Sequence, residues 1–258
     1  MIDVIVTGAA GRMGREVIKA VTAADDLRVV AAIDRESGVA LDDGAGGFVF
    51  TIDDLAGALV AGRVLVDFTV PDSVEATVIA ALTAGVDCVV GTTGVSMERW
   101  GEIADGAEAD ACLFIAPNFA VGAVLMMKFA ERAARYMPHV EVIELHHDRK
   151  LDAPSGTAMR TAALIAAARS EVPAAPGRET EISVGARGAL VDDVTVHSVR
   201  LPGMVAHQEV IFGGQGQTLS IRHDSIDRTS FMPGVVLAAR EVGTRSGLVV
   251  GLEELMGL

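Results

Sequence analysis

The first half of the chain alternates short, almost continuously apolar runs with segments of helical periodicity. The apolar runs are DVIVTG, RVVAAID, VLVDF, CVVGTT and CLFIAP, and GRMGREVIKAVTAA between the first two has the spacing of an amphipathic helix. Strands without polar alternation are typical of a parallel sheet covered on both faces. Their alternation with helices predicts crossover connections, and therefore an α/β fold built on a parallel sheet.

The second half of the chain has a different pattern. A long apolar helix is expected over residues 119–135, followed by VEVIELHH as a strand and TAMRTAALIAAARS as a helix. Further strands are expected at EISVGARG, TVHSVRL, HQEVIFG and QTLSIRH, with GGQGQ as a hairpin turn between the last two. The helical pattern resumes in SFMPGVVLAAREVG, which we expect to pack back on the first domain. We therefore predict one domain of residues 1–118 plus 226–258 and an inserted α+β domain of residues 119–225, with a mixed or antiparallel sheet.

Composition argues against two classes of partner. A net charge of −14 disfavours nonspecific nucleic-acid binding, and aromatic residues at 4% disfavour a base-stacking platform.

No run of about 20 apolar residues is free of charge or glycine, so no membrane span is expected. MIDVIVTGAAG enters a strand pattern without the features of a signal peptide, and Cys88 and Cys112 lie in apolar runs that suit buried free thiols. We expect a cytoplasmic protein.

A glycine loop follows the first predicted strand. Gly8, Gly11 and Gly14 in VTGAAGRMGRE allow a tight turn that offers backbone amides to a pyrophosphate at the start of the next helix. The spacing is a variant of the usual dinucleotide fingerprint, and a purely structural strand-to-helix turn is the alternative. The flanking strand and helix favour dinucleotide binding.

Residues near the end of the second predicted strand bear on which dinucleotide is bound. Asp34 can accept hydrogen bonds from the ribose hydroxyls of NAD and would repel the 2′-phosphate of NADP. Arg35 and Arg12 can pair with that phosphate, unless they are ordinary solvated surface charges. Use of NADH, NADPH or both is therefore expected.

Three loops follow later strands at the edge where ligands of open sheets bind. They are Phe68-Thr69, Gly91-Thr92-Thr93-Gly94 and Ala116-Pro117-Asn118-Phe119. These loops are candidates for the nicotinamide end of the cofactor. Ordinary turn chemistry is the alternative, because Gly, Thr, Asn and Pro all favour turns.

The segment ELHHDRKLDAPSGTA gathers two histidines and a lysine in a chain with few lysines. His146 and His147 point to opposite faces of an extended strand, so they are poorly placed to bind one metal ion, and no metal site is predicted. Histidine titrates near neutral pH, and the ammonium group of Lys150 can donate a proton. The segment therefore predicts acid and base chemistry.

The same segment predicts an anion site at a helix start. Pro154, Ser155, Gly156 and Thr157 place backbone amides and two hydroxyls at the positive end of a helix. The alternative is a structural N-cap with a proline in the first turn. The neighbouring histidines and lysine favour a carboxylate site, with Asp152 expected to orient the turn or Lys150 through a hydrogen bond.

These residues carry a specific resemblance. The run Glu141 to Ala158, EVIELHHDRKLDAPSGTA, resembles without a gap the signature of the dihydrodipicolinate reductase family. VTGAAGRMG, VGTTG and APNFAVG also resemble that family in order and spacing, so the resemblance spans the chain. It implies a Rossmann-type domain and an inserted substrate and tetramerisation domain in a homotetramer. The implied activity is reduction of 4-hydroxy-tetrahydrodipicolinate, a cyclic dicarboxylate of diaminopimelate and lysine biosynthesis, to tetrahydrodipicolinate by NADH or NADPH.

The resemblance also implies roles for single residues. His146 is the expected proton donor or acceptor, and Lys150 the expected proton donor. The expected substrate-binding residues are His147, Gly156 and Thr157, in addition to Ser155 at the helix start. The expected cofactor-binding residues are Gly8, Ala9, Ala10, Gly11, Arg12, Met13, Asp34, Arg35, Gly91, Thr92, Thr93, Ala116, Pro117, Asn118 and Phe119. Pro117 departs from the small residue that family members often carry there.

Two other functions fit the same residues. One is a different NAD(P)-dependent oxidoreductase acting on an amino-acid-derived acid, which a substrate panel would distinguish. The other is a noncatalytic nucleotide-sensing homologue, since a fold alone does not establish function. The intact HHDRK and SGT elements argue against the noncatalytic alternative.

Overall fold

The computed structural model describes residues 1–52, 54–107, 110–173 and 180–258. These residues form two compact units. Unit 1 consists of Met1–Val121 and Arg228–Leu258, and unit 2 consists of Gly122–Asp227. The boundaries expected from the sequence, after residues 118 and 225, lie close to these. The middle of the chain is therefore inserted into a unit that its two ends build together.

The secondary structure alternates in unit 1 and is rich in strands in unit 2. The strands are β1 (Ile2–Thr7), β2 (Leu27–Ile33), β3 (Ala40–Asp42), β4 (Phe48–Ile52), β5 (Val64–Asp67), β6 (Asp87–Val90), β7 (Cys112–Ile115), β8 (His139–His146), β9 (Ala189–Val191), β10 (Val194–Arg200), β11 (Ala206–Gly214), β12 (Gln217–Ser225) and β13 (Gly247–Val250). The α-helices are α1 (Arg12–Thr22), α2 (Leu55–Ala58), α3 (Pro71–Thr83), α4 (Met97–Asp105), α5 (Val121–Ala134), α6 (Gly156–Ala168), α7 (Met232–Glu241) and α8 (Leu252–Met256).

Unit 1 is built on an eight-stranded sheet with the order β13-β7-β6-β5-β1-β2-β4-β3. Its strand pairs are parallel except for the short edge pair of β3 and β4. All four residues of β5 and of β7 are buried, which explains the continuous apolar sequence of β7 and of the first three residues of β5. The α/β, Rossmann-type prediction is confirmed. Because β1 lies between β2 and β5, the direction of winding reverses at β1 and leaves a crevice at the carboxyl ends of β1 and β5.

The C-terminal segment completes unit 1. Helix α7 contacts α1, and Arg240 donates two hydrogen bonds to the Asp26 carboxylate at 2.7 and 2.8 Å. Beyond it, β13 adds a parallel edge strand beside β7 that was not expected from the sequence. The expected return of SFMPGVVLAAREVG to the first domain is confirmed.

Unit 2 contains a five-stranded mixed sheet with the order β12-β11-β8-β10-β9. Strand β8 pairs parallel with β10 and antiparallel with β11, and β11 and β12 form the expected hairpin, with Gly214 opposite Gln217. Helix α6 contacts β8 and β10. The predicted helices in this half are confirmed as α5 and α6.

One strand prediction in unit 2 is wrong. EISVGARG, residues 181–188, forms turns, and the strand β9 begins only at Ala189. Gly185 and Gly188 adopt φ of 86° and 76°, a backbone conformation that interrupts an extended strand. Ile182 and Val184 are left 96% and 99% exposed.

Two composition-based expectations can be compared with the structure. Cys88 and Cys112 are free and buried, as predicted, and burial raises the pKa of the Cys112 thiol to about 11. Across the described ranges, no helix has the length and apolar character needed to cross a membrane.

Candidate active site

The glycine loop of unit 1 is so tight that two of its positions exclude any side chain. Gly8 has φ of 74°, and a Cβ there would lie 2.5 Å from the carbonyl oxygen of Phe68. A Cβ on Gly14 would lie 2.1 Å from the carbonyl oxygen of Gly8. The turn after β1 can therefore close against α1 and the loop after β5 only with glycine at these positions.

The backbone N–H groups at the start of α1 receive no side-chain cap from the N-cap residue. Gly11 is the N-cap residue and supplies no side-chain cap, and the first turn contains no acidic residue. Gly11 and Arg12 are exposed and Met13 is half-buried, while Ala9 is buried in the turn. A bare helix N-terminus behind a tight glycine turn fits the pyrophosphate of a dinucleotide.

Asp34 links the second strand to this loop. Its carboxylate accepts hydrogen bonds from the backbone N–H of Ala10 at 2.9 Å and of Arg35 at 2.7 Å. The Arg35 and Arg12 side chains are exposed. Asp34 therefore lies where ribose hydroxyls would be expected, and both arginines are exposed where a 2′-phosphate could pair with them.

The three later loops follow β5, β6 and β7 at the same edge of the sheet. Phe68 lies so close to Gly91 that a Cβ there would approach its ring to 2.2 Å, and the rings of Phe68 and Phe119 are 5.6 Å apart. Asn118 accepts a hydrogen bond from the backbone N–H of Ala120 at 2.9 Å. Thr92 and Ala116 are buried, whereas Thr93 and Pro117 are exposed. Unit 1 therefore gathers all the expected cofactor-binding residues along one edge of one sheet.

In unit 2, a buried ion pair organises the end of β8. Glu144 is fully buried and accepts hydrogen bonds from both terminal nitrogens of Arg200, at 2.8 and 2.7 Å. Arg200 is the last residue of β10 and lies opposite His146 in the parallel register of β8 and β10. It also donates to the backbone carbonyl of Asp152 at 2.7 Å. One guanidinium therefore connects the end of the strand to the loop that follows it.

His146 is held by the same carboxylate. Its Nδ1 forms a short hydrogen bond with Glu144, which assigns the ring proton to Nδ1 and leaves Nε2 as the free ring nitrogen. Burial lowers the pKa of His146, and the neighbouring charges of Lys150 and Arg200 also lower it. Together they outweigh the opposing effect of Glu144. The imidazole is therefore neutral near pH 7.

The Glu144 carboxyl group remains ionised in spite of its burial. Burial raises its pKa, but hydrogen bonds from Arg200, Ser198 and His146 outweigh burial and hold the pKa below its ordinary value. Glu144 also accepts from the backbone N–H of Ser155 at 3.3 Å. The carboxylate thus fixes both His146 and the residue that precedes α6.

Lys150 lies in the loop after β8, and Asp152 orients it as expected. The Nζ atom of Lys150 donates to Asp152 at 2.8 Å, and this bond lowers the pKa of Asp152. The Lys150 side chain is 21% exposed. The Lys150 side chain is therefore held in place by Asp152 and remains accessible.

Helix α6 begins at Gly156 with Ser155 as its N-cap. The Ser155 hydroxyl accepts from the backbone N–H of Ala158 at 3.2 Å, so the structural capping role exists. Pro154 precedes the cap and is not part of the first turn. Gly156 is exposed, and a Cβ there would contact nothing within 4 Å. Thr157 is half-buried beside it. Gly156 thus leaves space for an anion at the positive end of α6.

His147 directly follows the last residue of β8. Its Nδ1 atom is buried and has no hydrogen-bond partner among the described residues. Such a polar atom needs a partner, which a bound ligand can supply. In the part of the chain that the structure describes, no group of three or more His, Cys, Asp and Glu side chains is arranged to hold a metal ion.

Sequence reasoning missed Arg200 and gave Glu144 no function of its own. Arg200 lies near the end of the run TVHSVRL, where an arginine is also typical of an ordinary surface charge. Its role follows from the parallel pairing of β8 with β10, which the sequence did not predict. Glu144 carried a weak signal, because an acidic residue interrupts the apolar side of VEVIELHH.

Comparisons with known proteins agree across the whole chain. Two family models match, one described as "Dihydrodipicolinate reductase, N-terminus" over residues 2–119 and one as "Dihydrodipicolinate reductase, C-terminus" over residues 122–256. A protein of Moorella thermoacetica named 4-hydroxy-tetrahydrodipicolinate reductase is 51% identical, with 99% of this chain and 98% of that protein covered. A protein of the same name from Nocardia farcinica is 52% identical, with coverage of 100% and 99%.

Solved structures give the same result. The structure of dipicolinate-bound dihydrodipicolinate reductase from Paenisporosarcina sp. TG-14 is 41% identical, with a TM-score of 0.85 and coverage of 98% of this chain and 99% of that one. A probable dehydrogenase from Thermotoga maritima shares only the fold, with a TM-score of 0.62, 13% identity and coverage of 98% and 92%.

Replacing Glu144 by Gln tests the buried ion pair. Arg200 would lose its carboxylate partner, so we expect the variant to lose about 3–5 kcal/mol of unfolding free energy at pH 7. Because the folded-state pKa of Glu144 lies below its unfolded value, its contribution is present above the unfolded pKa and is lost as pH falls through the folded pKa. Urea unfolding from pH 7 to pH 3 should therefore show the difference from wild type shrinking with acidity.

The matched control for this experiment is Glu141→Gln on the same strand. Glu141 is 36% exposed and pairs with Arg187 and His197, so we expect a loss of about 1 kcal/mol or less. Equal losses in the two variants would contradict the special role of the Glu144 pair.

Replacing Gly14 by Ala tests the glycine loop. The added Cβ would collide with the carbonyl oxygen of Gly8, so we expect affinity for NADH and NADPH, measured by fluorescence titration, to fall by at least about 100-fold. Gly101→Ala in α4 is the control, because a Cβ there has open space. Unchanged cofactor affinity in the Gly14 variant would rule out a close approach of cofactor to this turn.

Proposed function

The chain belongs to the dihydrodipicolinate reductase family, and from this premise we propose that unit 1 holds the nicotinamide cofactor and unit 2 holds the substrate and supplies the proton. The protein is an NAD(P)H-dependent oxidoreductase that reduces 4-hydroxy-tetrahydrodipicolinate to tetrahydrodipicolinate in diaminopimelate and lysine biosynthesis. The observation that carries the proposal is the fixed cluster of Lys150, His146 and the open start of α6 in unit 2.

For the cofactor, we assign binding to the residues along the carboxyl edge of the unit 1 sheet. Gly8 to Met13 would hold the pyrophosphate, Asp34 and Arg35 the adenosine ribose with its substituent, and the loops of residues 91–93 and 116–119 the nicotinamide end. When bound, NADH or NADPH supplies the hydride. The exclusion of side chains at Gly8 and Gly14 supports the first of these assignments.

The anionic substrate needs donors that match its carboxylates. We assign this role to the start of α6, where the backbone amides of Gly156 and Thr157 and the side chains of Ser155 and Thr157 lie at the positive helix end, and to His147. The buried, unpartnered Nδ1 of His147 supports its inclusion. The dipicolinate in the structure from Paenisporosarcina is itself a cyclic dicarboxylate, which favours the same substrate class here.

Loss of the 4-hydroxyl of the substrate as water gives a conjugated cyclic imine, and hydride addition to that ring leaves an enamine that must gain a proton on carbon. We assign the donor role to Lys150, since His146 is neutral near pH 7 with its one ring proton directed at Glu144. His146 then presents Nε2 as a hydrogen-bond acceptor, while Asp152 holds the ammonium group of Lys150. Proton delivery thus depends on Lys150, which the Asp152 carboxylate holds, and on His146, whose tautomer the Glu144 carboxylate fixes.

Replacing Lys150 by Ala tests this assignment. We expect kcat to fall by about 10²- to 10⁴-fold, because the acid is removed, while the dissociation constants of NADH and NADPH remain at their wild-type values. The control is Lys128→Ala, since Lys128 pairs with Glu131 on α5 and has no part in the proposed site. Full activity in the Lys150 variant would exclude the proposed donor.

We also propose a homotetramer that forms through unit 2. The segment 181–188 has a strand-like sequence but pairs with no strand among the described residues, and it leaves Ile182 and Val184 almost completely exposed. Exposed aliphatic groups of this kind favour a protein interface. The resemblance to the family favours four copies.

We also propose that the protein works in the cytoplasm. The free thiols of Cys88 and Cys112 agree with a reducing compartment.

Light scattering on the purified protein tests the assembly. We expect the mass of four 26.7 kDa chains for wild type and a smaller species for the double variant Ile182→Glu with Val184→Glu, because burying two added charges opposes association. Ile79→Glu on α3 of unit 1 is the control and should leave the mass unchanged. A monomeric wild type would contradict the proposal.

A further inference from the structure

The strand β5 ends on a buried carboxylate that the proposed mechanism does not use. Asp67 is completely inaccessible to solvent and follows three buried apolar residues of VLVD. Burying an ionisable side chain is costly unless its oxygens are satisfied. An acidic group therefore requires a reason at this position.

The Asp67 carboxylate is surrounded by threonines. One oxygen accepts from the Thr7 hydroxyl at 2.6 Å, and the other accepts from the Thr92 hydroxyl at 2.6 Å. The Thr69 hydroxyl lies within 3.1 Å of both oxygens, and its backbone N–H donates at 3.1 Å. Within the described residues, every hydrogen bond to Asp67 comes from a hydroxyl or an amide and none comes from Lys or Arg. The Asp67 carboxylate is satisfied by short, directional hydrogen bonds and has no ion-pair partner among the described residues.

The three threonines belong to three different segments of the carboxyl edge. Thr7 ends β1 and directly precedes Gly8, Thr69 follows Phe68 after β5, and Thr92 follows Gly91 after β6. These are the segments that meet at the crevice beside β1 and β5. A single side chain therefore fixes the glycine turn relative to both neighbouring loops.

These segments approach one another so closely that two glycines have no space for a Cβ. A Cβ on Gly8 would collide with the Phe68 carbonyl, and a Cβ on Gly91 would collide with the Phe68 ring. Both close approaches lie one residue from a threonine that is bonded to Asp67. Loss of those bonds would allow the three segments to separate, and small displacements in a preorganised site reduce binding strongly.

We propose that Asp67 is a positioning residue of the cofactor site, which sets the relative placement of the turn after β1 and the loops after β5 and β6 through the hydroxyls of Thr7, Thr69 and Thr92. The inference rests on the proposed binding of NAD(P)H along this edge. It adds a residue that has no direct contact with the cofactor and acts through its neighbours.

Two substitutions weaken the hydrogen bonds between Asp67 and the threonines, one by changing the carboxylate and one by removing a hydroxyl. Asp67→Asn keeps the shape but replaces one acceptor oxygen by a donor, and Thr7→Val removes one hydroxyl at nearly constant volume. We expect each to raise the dissociation constants of NADH and NADPH and the KM for the cofactor by about tenfold or more, with the KM for the dicarboxylate unchanged. Thr7→Ser restores the hydroxyl and should restore cofactor affinity to within about twofold of wild type.

The control is Asp87→Asn at the start of β6. Asp87 is the first residue of β6 and lies at the amino-terminal edge of the parallel sheet, away from the crevice at the carboxyl edge. It accepts a hydrogen bond from the backbone N–H of Cys112 at 2.8 Å. The variant therefore makes the same chemical change away from the crevice. Its cofactor affinity should equal that of wild type. Circular dichroism and melting temperature establish that each variant is folded, and Thr7→Val carries the test if Asp67→Asn does not fold.

The outcomes separate the inference from the function on which it rests. A wild-type protein that binds neither NADH nor NADPH would refute the proposed function. Wild-type binding that persists unchanged in both Asp67→Asn and Thr7→Val would overturn the positioning role alone. Equal weakening in Asp87→Asn would also overturn it, since the effect would then reflect the stability of the sheet and not the crevice.

Discussion

The bidentate ion pair of Glu144 and Arg200 is the interaction on which the chemistry of unit 2 depends. Two strands that are distant in sequence meet in parallel at this pair, and Asp152 and Ser155, which follow β8, are hydrogen-bonded to it. Because the carboxylate is buried, its attraction for the guanidinium and the imidazole is weakly screened. Removing either Glu144 or Arg200 would leave the other charge without its partner, so the geometry is maintained as a whole. His146 and the loop that carries Lys150 acquire their positions from this pair.

An acidic chain that binds anionic ligands must concentrate its positive potential locally. The net charge is −14, yet each unit presents a helix N-terminus, at α1 and at α6, together with exposed or accessible basic side chains. Helix ends and oriented amides provide partial positive charge without altering the overall charge. In both units a buried carboxylate lies behind the site and fixes the loops around it, Asp67 in unit 1 and Glu144 in unit 2. Each of these acids positions other groups, since neither is accessible to a ligand.

Much of the architecture was predictable, because periodicity and glycine spacing are local signals. The apolar strands, the glycine turn and the helix start at Ser155 could be recognised without tertiary information. The strand expected at residues 181–188 was wrong because its alternating pattern is local, whereas strand formation requires a partner and tolerates glycine at positive φ poorly. Arg200 was missed for the related reason that its role arises from a parallel pairing across 56 residues. The hydroxyls around Asp67 come from three segments, and only the folded sheet brings them together.

The most direct test of the central claim is turnover by the purified protein. 4-hydroxy-tetrahydrodipicolinate would be generated enzymatically in the reaction mixture, and oxidation of NADH and of NADPH would be followed separately. The account predicts substrate-dependent oxidation of at least one cofactor with formation of tetrahydrodipicolinate, and the ratio of the two rates would show whether Asp34 or Arg35 dominates cofactor choice. A folded protein that binds a dinucleotide but oxidises neither cofactor with this substrate would contradict the account.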